Sequence, residues 1–359
     1  MERRIITSFF LIFLIQPLYI PAKEKIKTEE LDLVRVLPAK EEKVYFKTTP
    51  FIAVDDSGNV YAVDNRVHTV YKLDQSGRLI QKIGRKGQGP GDLELPSRIC
   101  VDKDKVFVSD NRAISTFDIK GNFLNRFRKF RLITSIAVFQ NTVLLAEPTS
   151  DRLISAYGFN GMKLNSFGQK YKIDYSIYNN WPKDHVDQMI NRGKIVCSEN
   201  FIFFISESFG DIFKYNEKGE LMFMKKMEDI DFIENRRNLI FKAGGEINRK
   251  GYYVLKGKDL GYFINDAFYL KGKIYLLLSE NYLLFSKGNM SNAEVWQIDE
   301  DSLEIEKKIS FIITEKNKSN KIYPRGLAIR ESENNNLLYY MSYYDDKKGD
   351  FLIGLFKKS

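Results

Sequence analysis

The sequence predicts an all-β chain, a six-bladed β-propeller built from four-stranded antiparallel blades. Three observations predict it: a phrase that recurs along the chain, short apolar runs set between turn residues, and stretches that are apolar on both alternations. The phrase Ile52-Ala53-Val54-Asp55, Asn59-Val60-Tyr61-Ala62-Val63-Asp64-Asn65, Leu73-Asp74-Gln75-Ser76-Gly77 returns as Ile99-Cys100-Val101-Asp102, Lys105-Val106-Phe107-Val108-Ser109-Asp110-Asn111, Phe117-Asp118-Ile119-Lys120-Gly121. A unit this short cannot bury its own apolar faces and must stack on copies of itself. Short alternating runs bounded by turn residues read as antiparallel strands rather than helices. Phe201-Ile202-Phe203-Phe204-Ile205 is apolar on both alternations, as in a sheet covered on both faces.

The elements follow in chain order. Residues 1–22 read as an export signal, with Arg3 and Arg4 ahead of the apolar run Ile5 to Ile15 and Pro17, Pro21 and Ala22 at its end. The run is too short for a stable membrane span, and no cysteine near its end offers a lipid attachment point. The expected location is periplasmic or extracellular, without an N-terminal lipid anchor. Residues 23–49 include Leu33-Val34-Arg35-Val36-Leu37, expected to supply the outer strand of the last blade, because the final copy lacks a fourth strand. Closing the ring in this way removes exposed sheet edges. Residues 50–359 form the propeller. Its looser copies begin near Ile136-Ala137-Val138, Ile195-Val196-Cys197, Lys273-Ile274-Tyr275 and Gly326-Leu327-Ala328. Gly77, Gly121, Gly161 and Gly219 each fall four residues after an apolar residue, where a hairpin between third and fourth strands needs positive φ.

Between the first two copies lies Gly87-Gln88-Gly89-Pro90-Gly91-Asp92-Leu93-Glu94-Leu95-Pro96. With the repeats that flank it, this stretch resembles the connector of NHL-type six-bladed propellers, a group that includes exported bacterial members. The resemblance is specific from about residue 50 to 127 and is carried further only by strand order and turn glycines. It implies a ring of six blades and accounts for the glycine-rich stretch as a connector. A phosphate loop is a poor alternative, since no Gly-Lys-Ser/Thr ending and no helix follow.

Antiparallel order places the loops between second and third strands on the same face as the inter-blade connectors. The interval from Gly161 to Gly219 is longer than those from Gly77 to Gly121 and from Gly121 to Gly161, and its excess lies at about 169–192. A second long segment covers about 226–262. Both insertions are inter-blade and so share one face, where function is expected. A seventh, degenerate blade in the second is disfavoured, because no strand-turn phrase recurs there. In the first insertion, Tyr175 and Trp181 among lysines suit sugar stacking or cation–π contacts; folding over the blade tips as a satellite core is an equal alternative. Arg98 and Arg325 sit at the entry to inner strands at the channel mouth, where either could hold an anionic ligand or merely pair with the acidic ring. Arg128 lies in the basic-aromatic run that leaves blade two toward the same face; its alternation is also that of an ordinary outer strand with a solvated edge, the favoured reading. Asp64, Asp110, Glu147 and Glu207 each end a second strand and should ring that mouth. They could hold a divalent cation such as calcium, but local caps of their own turns are the favoured reading.

The formal charge is +9, and losing Arg3, Arg4 and Glu2 with the signal leaves +8, with acids and bases interspersed. Export makes nucleic acid an improbable partner. His68 and His185 are the only histidines and lie in different blades, which excludes a histidine-rich metal site. A triad has no nucleophile-elbow motif behind it. Cys100 and Cys197 occupy the same column of non-adjacent blades and read as small buried hydrophobes rather than a disulfide. The expected function is that of an exported, non-catalytic, monomeric binding propeller for a glycan, peptide or protein partner, with no cofactor. The alternative is a metal-dependent hydrolase or lyase resembling gluconolactonase-like propellers, with a divalent cation over the channel.

Overall fold

The computed structural model describes residues 26–111, 113–128, 132–227, 231–247, 253–255, 262–278, 292–313 and 322–358. The proposed signal therefore lies outside the described residues. The chain opens with β1 (Lys27–Leu37) and then forms blade one from β2 (Phe51–Val54), β3 (Val60–Asp64), β4 (Thr69–Leu73) and β5 (Leu79–Ile83). Blade two comprises β6 (Pro96–Asp102), β7 (Lys105–Asp110), β8 (Ala113–Asp118) and β9 (Phe123–Arg128). Blade three comprises β10 (Ser135–Phe139), β11 (Thr142–Ala146), β12 (Ile154–Gly158) and β13 (Lys163–Phe167). After helix α1 (Lys183–Ile190), blade four takes β14 (Gly193–Cys197), β15 (Ile202–Ser206), β16 (Ile212–Tyr215) and β17 (Leu221–Lys225). Helix α2 (Asp231–Asn238) runs on as a π-helical turn through Ala243 into the hairpin β18 (Gly245–Ile247) and β19 (Tyr253–Leu255). Blade five comprises β20 (Ile264–Leu270), β21 (Lys273–Leu278), β22 (Asn292–Asp299) and β23 (Ile305–Ile312). Blade six has β24 (Ile322–Glu331), β25 (Leu337–Asp345) and β26 (Asp350–Lys357).

The inner strands β2, β6, β10, β14, β20 and β24 each contact the next, and β24 contacts β2, so the ring closes. β1 completes blade six by pairing antiparallel with β26, as the sequence predicts. It also pairs in parallel with β23, joining the outer edges of blades five and six in one eight-stranded sheet. Leu31 of β1 is fully buried at that junction with Ile309, Phe311 and Phe356. A run expected to close one blade thus stitches two together.

Burial follows position in the blade. Second strands such as Val60–Asp64 and Ile202–Ser206 are buried throughout, whereas the outer strand Leu79–Ile83 alternates half-buried and exposed residues. Two-sided apolar runs fill the middle of each blade because neighbouring blades cover both faces. At the third-strand hairpins, Asp74 Oδ1 accepts from the backbone N–H groups of Ser76 and Arg78, and the Gly77 N–H donates to the Asp74 carbonyl. Asn216 and Gly219 repeat the arrangement in blade four.

Gly121 (φ 77°) shows why glycine is required there. A Cβ at this position would lie 2.2 Å from Nε2 of Gln81 and 3.1 Å from the Ile83 side chain, both on the outer strand of blade one. A Cβ at Gly161 would meet Phe127 of blade two at 2.3 Å, and the same site in blade four abuts Phe167 of blade three. Each turn is seated on the outer strand of the preceding blade. Side chains reinforce the seat: Gln81 donates to the Lys120 carbonyl and Asn125 to the Phe159 carbonyl, each in the following blade's turn.

Gly121→Val should cost on the order of 3 kcal/mol, from positive-φ strain and the clash with Gln81. An unchanged denaturant midpoint would remove the seated-turn account. Leu31→Ala should cost about 3 kcal/mol by opening a cavity between blades five and six. Full retention of stability would mean that the ring closes without β1.

Candidate functional site

The face that carries the inner-strand starts holds a cavity of about 230 Å³ at the channel mouth, lined by Phe51, Arg98, Arg192, Lys194, Glu207 and Arg325 among others. The channel continues below it, walled by inner-strand residues that include Cys100, Cys197 and Asp266. Phe51 is the centre of the mouth. The Arg98 guanidinium lies 3.7 Å from its ring centroid, that of Arg325 lies 4.4 Å away, and Nζ of Lys194 lies 5.6 Å away. These cations start from blades two, six and four. An aromatic face attracts them through its quadrupole.

Two acids stand among them. Glu207 accepts from Nε of Arg192 at 2.8 Å and pairs with Lys194 at 3.5 Å. Asp266 lies 3.7 Å from Lys194 and accepts from the N–H groups of Ala267 and Leu327. Burial works to raise Glu207, but Lys194, Arg192 and Arg98 outweigh it and hold its carboxyl below the ordinary value. For Asp266 burial prevails over Lys194, and its carboxyl is raised. Burial lowers Lys194 against the pull of Glu207 and Asp266. Burial likewise brings Arg98 down to about 10, opposed by Glu207 and assisted by Arg192 and Arg325. Arg98 donates through Nε to the Thr134 carbonyl and through Nη1 to that of Ser97. No hydrogen bond from its Nη2 occurs among the described residues.

Three of the four strand-end acids serve the connectors. Asp64 accepts from the N–H groups of Lys47 and Arg66, and Asp110 from those of Glu94 and Leu95 and from Arg126. Glu147 accepts from the Tyr157 hydroxyl, and Glu207 from Arg192. Asp64, Asp110 and Glu207 each hold the segment leading into their own blade. Among the described residues, no three His, Cys, Asp or Glu side chains gather as a metal site would require.

The insertions form one cap beside the mouth. The Tyr178 hydroxyl donates to the Ile240 carbonyl at 2.6 Å, and the Asn179 N–H donates to Gly245. Asp211, fully buried, accepts from the Tyr171 hydroxyl, the Met227 N–H and Arg237. Asp187 accepts from Tyr175 and Asn191 and pairs with Lys170 at 2.9 Å. The cap delivers Arg192 and Tyr262 to the mouth, where the Arg192 guanidinium stacks 4.6 Å from the Tyr262 centroid.

Arg98 and Arg325 therefore meet at the mouth, as the sequence placed them. Trp181 requires correction as a ligand contact: it is 9% exposed and packs on Tyr178 and His185 inside the cap. Tyr175 lies at the cap surface with its hydroxyl on Asp187. Arg128 ends β9, and its side chain lies outside the described residues. Cys100 and Cys197 are free thiols, half-buried on the channel wall rather than fully buried. Sequence reasoning missed Phe51, Arg192, Lys194, Asp266 and Tyr262. The available signal was a charge inside an apolar inner strand, as in Gly193-Lys194-Ile195-Val196.

Glu207→Gln should cost about 3 kcal/mol at neutral pH, because Arg192 and Lys194 lose their buried counter-charge. Glu207 has a folded pKa below its unfolded one, so its contribution is complete above the ordinary carboxylate range and is lost as pH falls through the folded value. Urea unfolding across that range should show a shallower acid limb in the variant; identical limbs would deny Glu207 this role. Trp181→Ala should cost about 3–5 kcal/mol as a core truncation, whereas Tyr175→Phe should cost about 1 kcal/mol. Equal small losses in thermal unfolding would argue that the cap is not packed around Trp181.

A family model, DUF5128, described as a 6-bladed beta-propeller, matches residues 26–179. No curated protein matches the chain in sequence. Among solved structures, a Bacteroides fragilis protein described as exported is 12% identical, with a TM-score of 0.53 over 93% of this chain and 99% of that one. A DUF4221 family member from Bacteroides vulgatus is 11% identical, with a TM-score of 0.54 over the same shares. Virginiamycin B lyase from Staphylococcus aureus is 14% identical, with a TM-score of 0.51 over 90% and 99%. At these identities the likeness concerns the fold. Repeat, ring and family model agree that the chain is a six-bladed β-propeller.

Proposed function

We propose that this chain is an exported, non-catalytic recognition propeller, monomeric in solution, that binds a glycan, peptide or protein partner at the channel mouth beside the cap. The observation that carries the reading is the convergence of Arg98, Lys194 and Arg325 on Phe51, on the face that bears both insertions. Long connectors on a rigid ring supply a recognition surface. The basic start of the sequence and the likeness to a protein described as exported support export. Among the described residues no helix is long and apolar enough to cross a membrane.

The metal-dependent alternative receives less support. Asp64, Asp110 and Glu207 are engaged with their own connectors, and Glu147 with Tyr157. A cation there would compete with the donors that these carboxylates already serve. Metal analysis of the mature protein, purified without chelators or metal-binding tags, should find substoichiometric calcium and zinc. Lactone and ester substrates should not turn over, and glycan or peptide arrays should show retention that is lost in an Arg325→Gln variant. One tightly held cation per chain with metal-dependent turnover would replace this reading with the hydrolase.

A further inference from the structure

Outer strands of successive blades share one register, which makes a departure in blade four visible. Gln81 opposite Lys72, Asn125 opposite Thr116 and Asn165 opposite Ala156 are equivalent positions. Each side chain donates to a carbonyl in the following blade's turn, at Lys120, Phe159 and Lys218 respectively. The fourth member of the series, opposite Lys214, is Phe223. Its ring cannot donate that bond, and the turn of blade five takes Nζ of Lys214 on its Glu300 carbonyl. Phe223 stands 47% exposed, after Leu221 at 54% and Met222 at 58%. Leu164, also exposed, lies on β13, the strand of blade three that seats the 216–219 turn. Among the described residues β17 pairs only with β16, so it is the open edge of its sheet. Proteins ordinarily blunt such an edge with charged side chains or proline. Leu221-Met222-Phe223-Met224 has neither.

The molecule itself shows what such an edge accepts. β23, the outer strand of blade five, takes β1 from outside its blade as a parallel neighbour, and Leu31 is buried there against Ile309 and Phe311. We propose that β17 is a docking edge, separate from the channel mouth, which takes an extended segment of a partner polypeptide as a parallel fifth strand of blade four. Main-chain hydrogen bonds supply the pairing, and apolar side chains at alternate positions of the segment cover Leu221 and Phe223. Charge sets its direction, as complementary charges fix register at interfaces. Glu217 and Glu220 stand at the start of β17, and Lys225 and Lys226 at its end. A parallel segment is complementary when a base precedes its apolar residues and an acid follows them. β1 has that order along β23, from Lys27 at its start to Asp32 where the pairing ends.

The probe is a fluorescently labelled peptide of residues 26–37, the segment that β23 already accepts, titrated into the mature chain near neutral pH. Binding is followed by anisotropy and located by amide hydrogen exchange. It should saturate at one site, with exchange slowed at residues 221–225. Phe223→Asn writes the residue of blades two and three into blade four. It should weaken binding about tenfold, the loss of one apolar anchor, without lowering the denaturant midpoint. Ile80→Asn, at an exposed position on the outer strand of blade one, should change nothing. A peptide with Glu30→Pro and Leu31→Pro should not bind, because one of two successive prolines faces the ladder without an N–H. Exchanging the peptide's end charges, Lys27→Asp with Asp32→Lys, should weaken binding. No saturable binding, equal affinity in Phe223→Asn or equal affinity of the charge-exchanged peptide would overturn the proposal. Protection at 305–312 in place of 221–225 would also overturn it, since the peptide would then only replace β1. Light scattering that shows a dimer without peptide, lost in Phe223→Asn, would overturn it by making a second copy the occupant.

Discussion

The rest of this structure depends on the seating of each hairpin turn against the outer strand of the blade before it. At Gly121 and Gly161 the neighbour stands where a Cβ would be, and the backbone also takes a φ that side chains resist. One residue type therefore satisfies a local and a tertiary demand together. The stacking it permits covers both faces of every blade, which is why second strands are buried throughout. The first turn shows that the ring is continuous: a Cβ at Gly77 would meet Leu37 and Ala39, on and just after β1. β1 is thus the preceding outer strand for blade one, the missing strand of blade six and a parallel neighbour of blade five.

With the blades so fixed, the opposite face is free to differ from one connector to the next. Asp64, Asp110 and Glu207 occupy equivalent strand ends, yet each satisfies donors of its own connector. Buried carboxylates of this kind must find hydrogen-bond donors or counter-charges. At the mouth, Lys194 pairs with both Glu207 and Asp266. The same rigid ring that makes the turns uniform brings together side chains more than two hundred residues apart in sequence, Arg98 and Arg325.

The cap is a second layer built on this plan. Asp187 and Asp211 gather hydroxyls, amides and cations from segments that have no repeat to guide them. Gly244 (φ 69°) sits so close to the Ile177 carbonyl that a Cβ would lie 2.1 Å from its oxygen, which locks the two insertions together. Aromatic residues that read as ligand contacts in isolation, Trp181 above all, become the interior of this layer. Tyr262 and Arg192 are the residues it presents to the channel.

The sequence alone determined the blade count, the strand order, the turn glycines, the closing strand and the face on which the insertions lie. These follow from periodicity and turn chemistry, which are local and repeat with the unit, so each copy corroborates the others. It also placed Arg98 and Arg325 at the mouth, because a residue just inside an inner strand has a defined height on the ring. Tertiary structure decided which side chains meet. Phe51, Lys194 and Asp266 join the two arginines only because strands from five blades converge on one axis. The burial of Trp181 depends on contact with a second insertion some sixty residues later. The parallel pairing of β1 with β23 was equally illegible, since an edge strand carries no mark of the neighbour it will meet. Contacts between non-repeating segments have no periodicity to announce them, and they are settled only when the ring closes and brings the segments into reach.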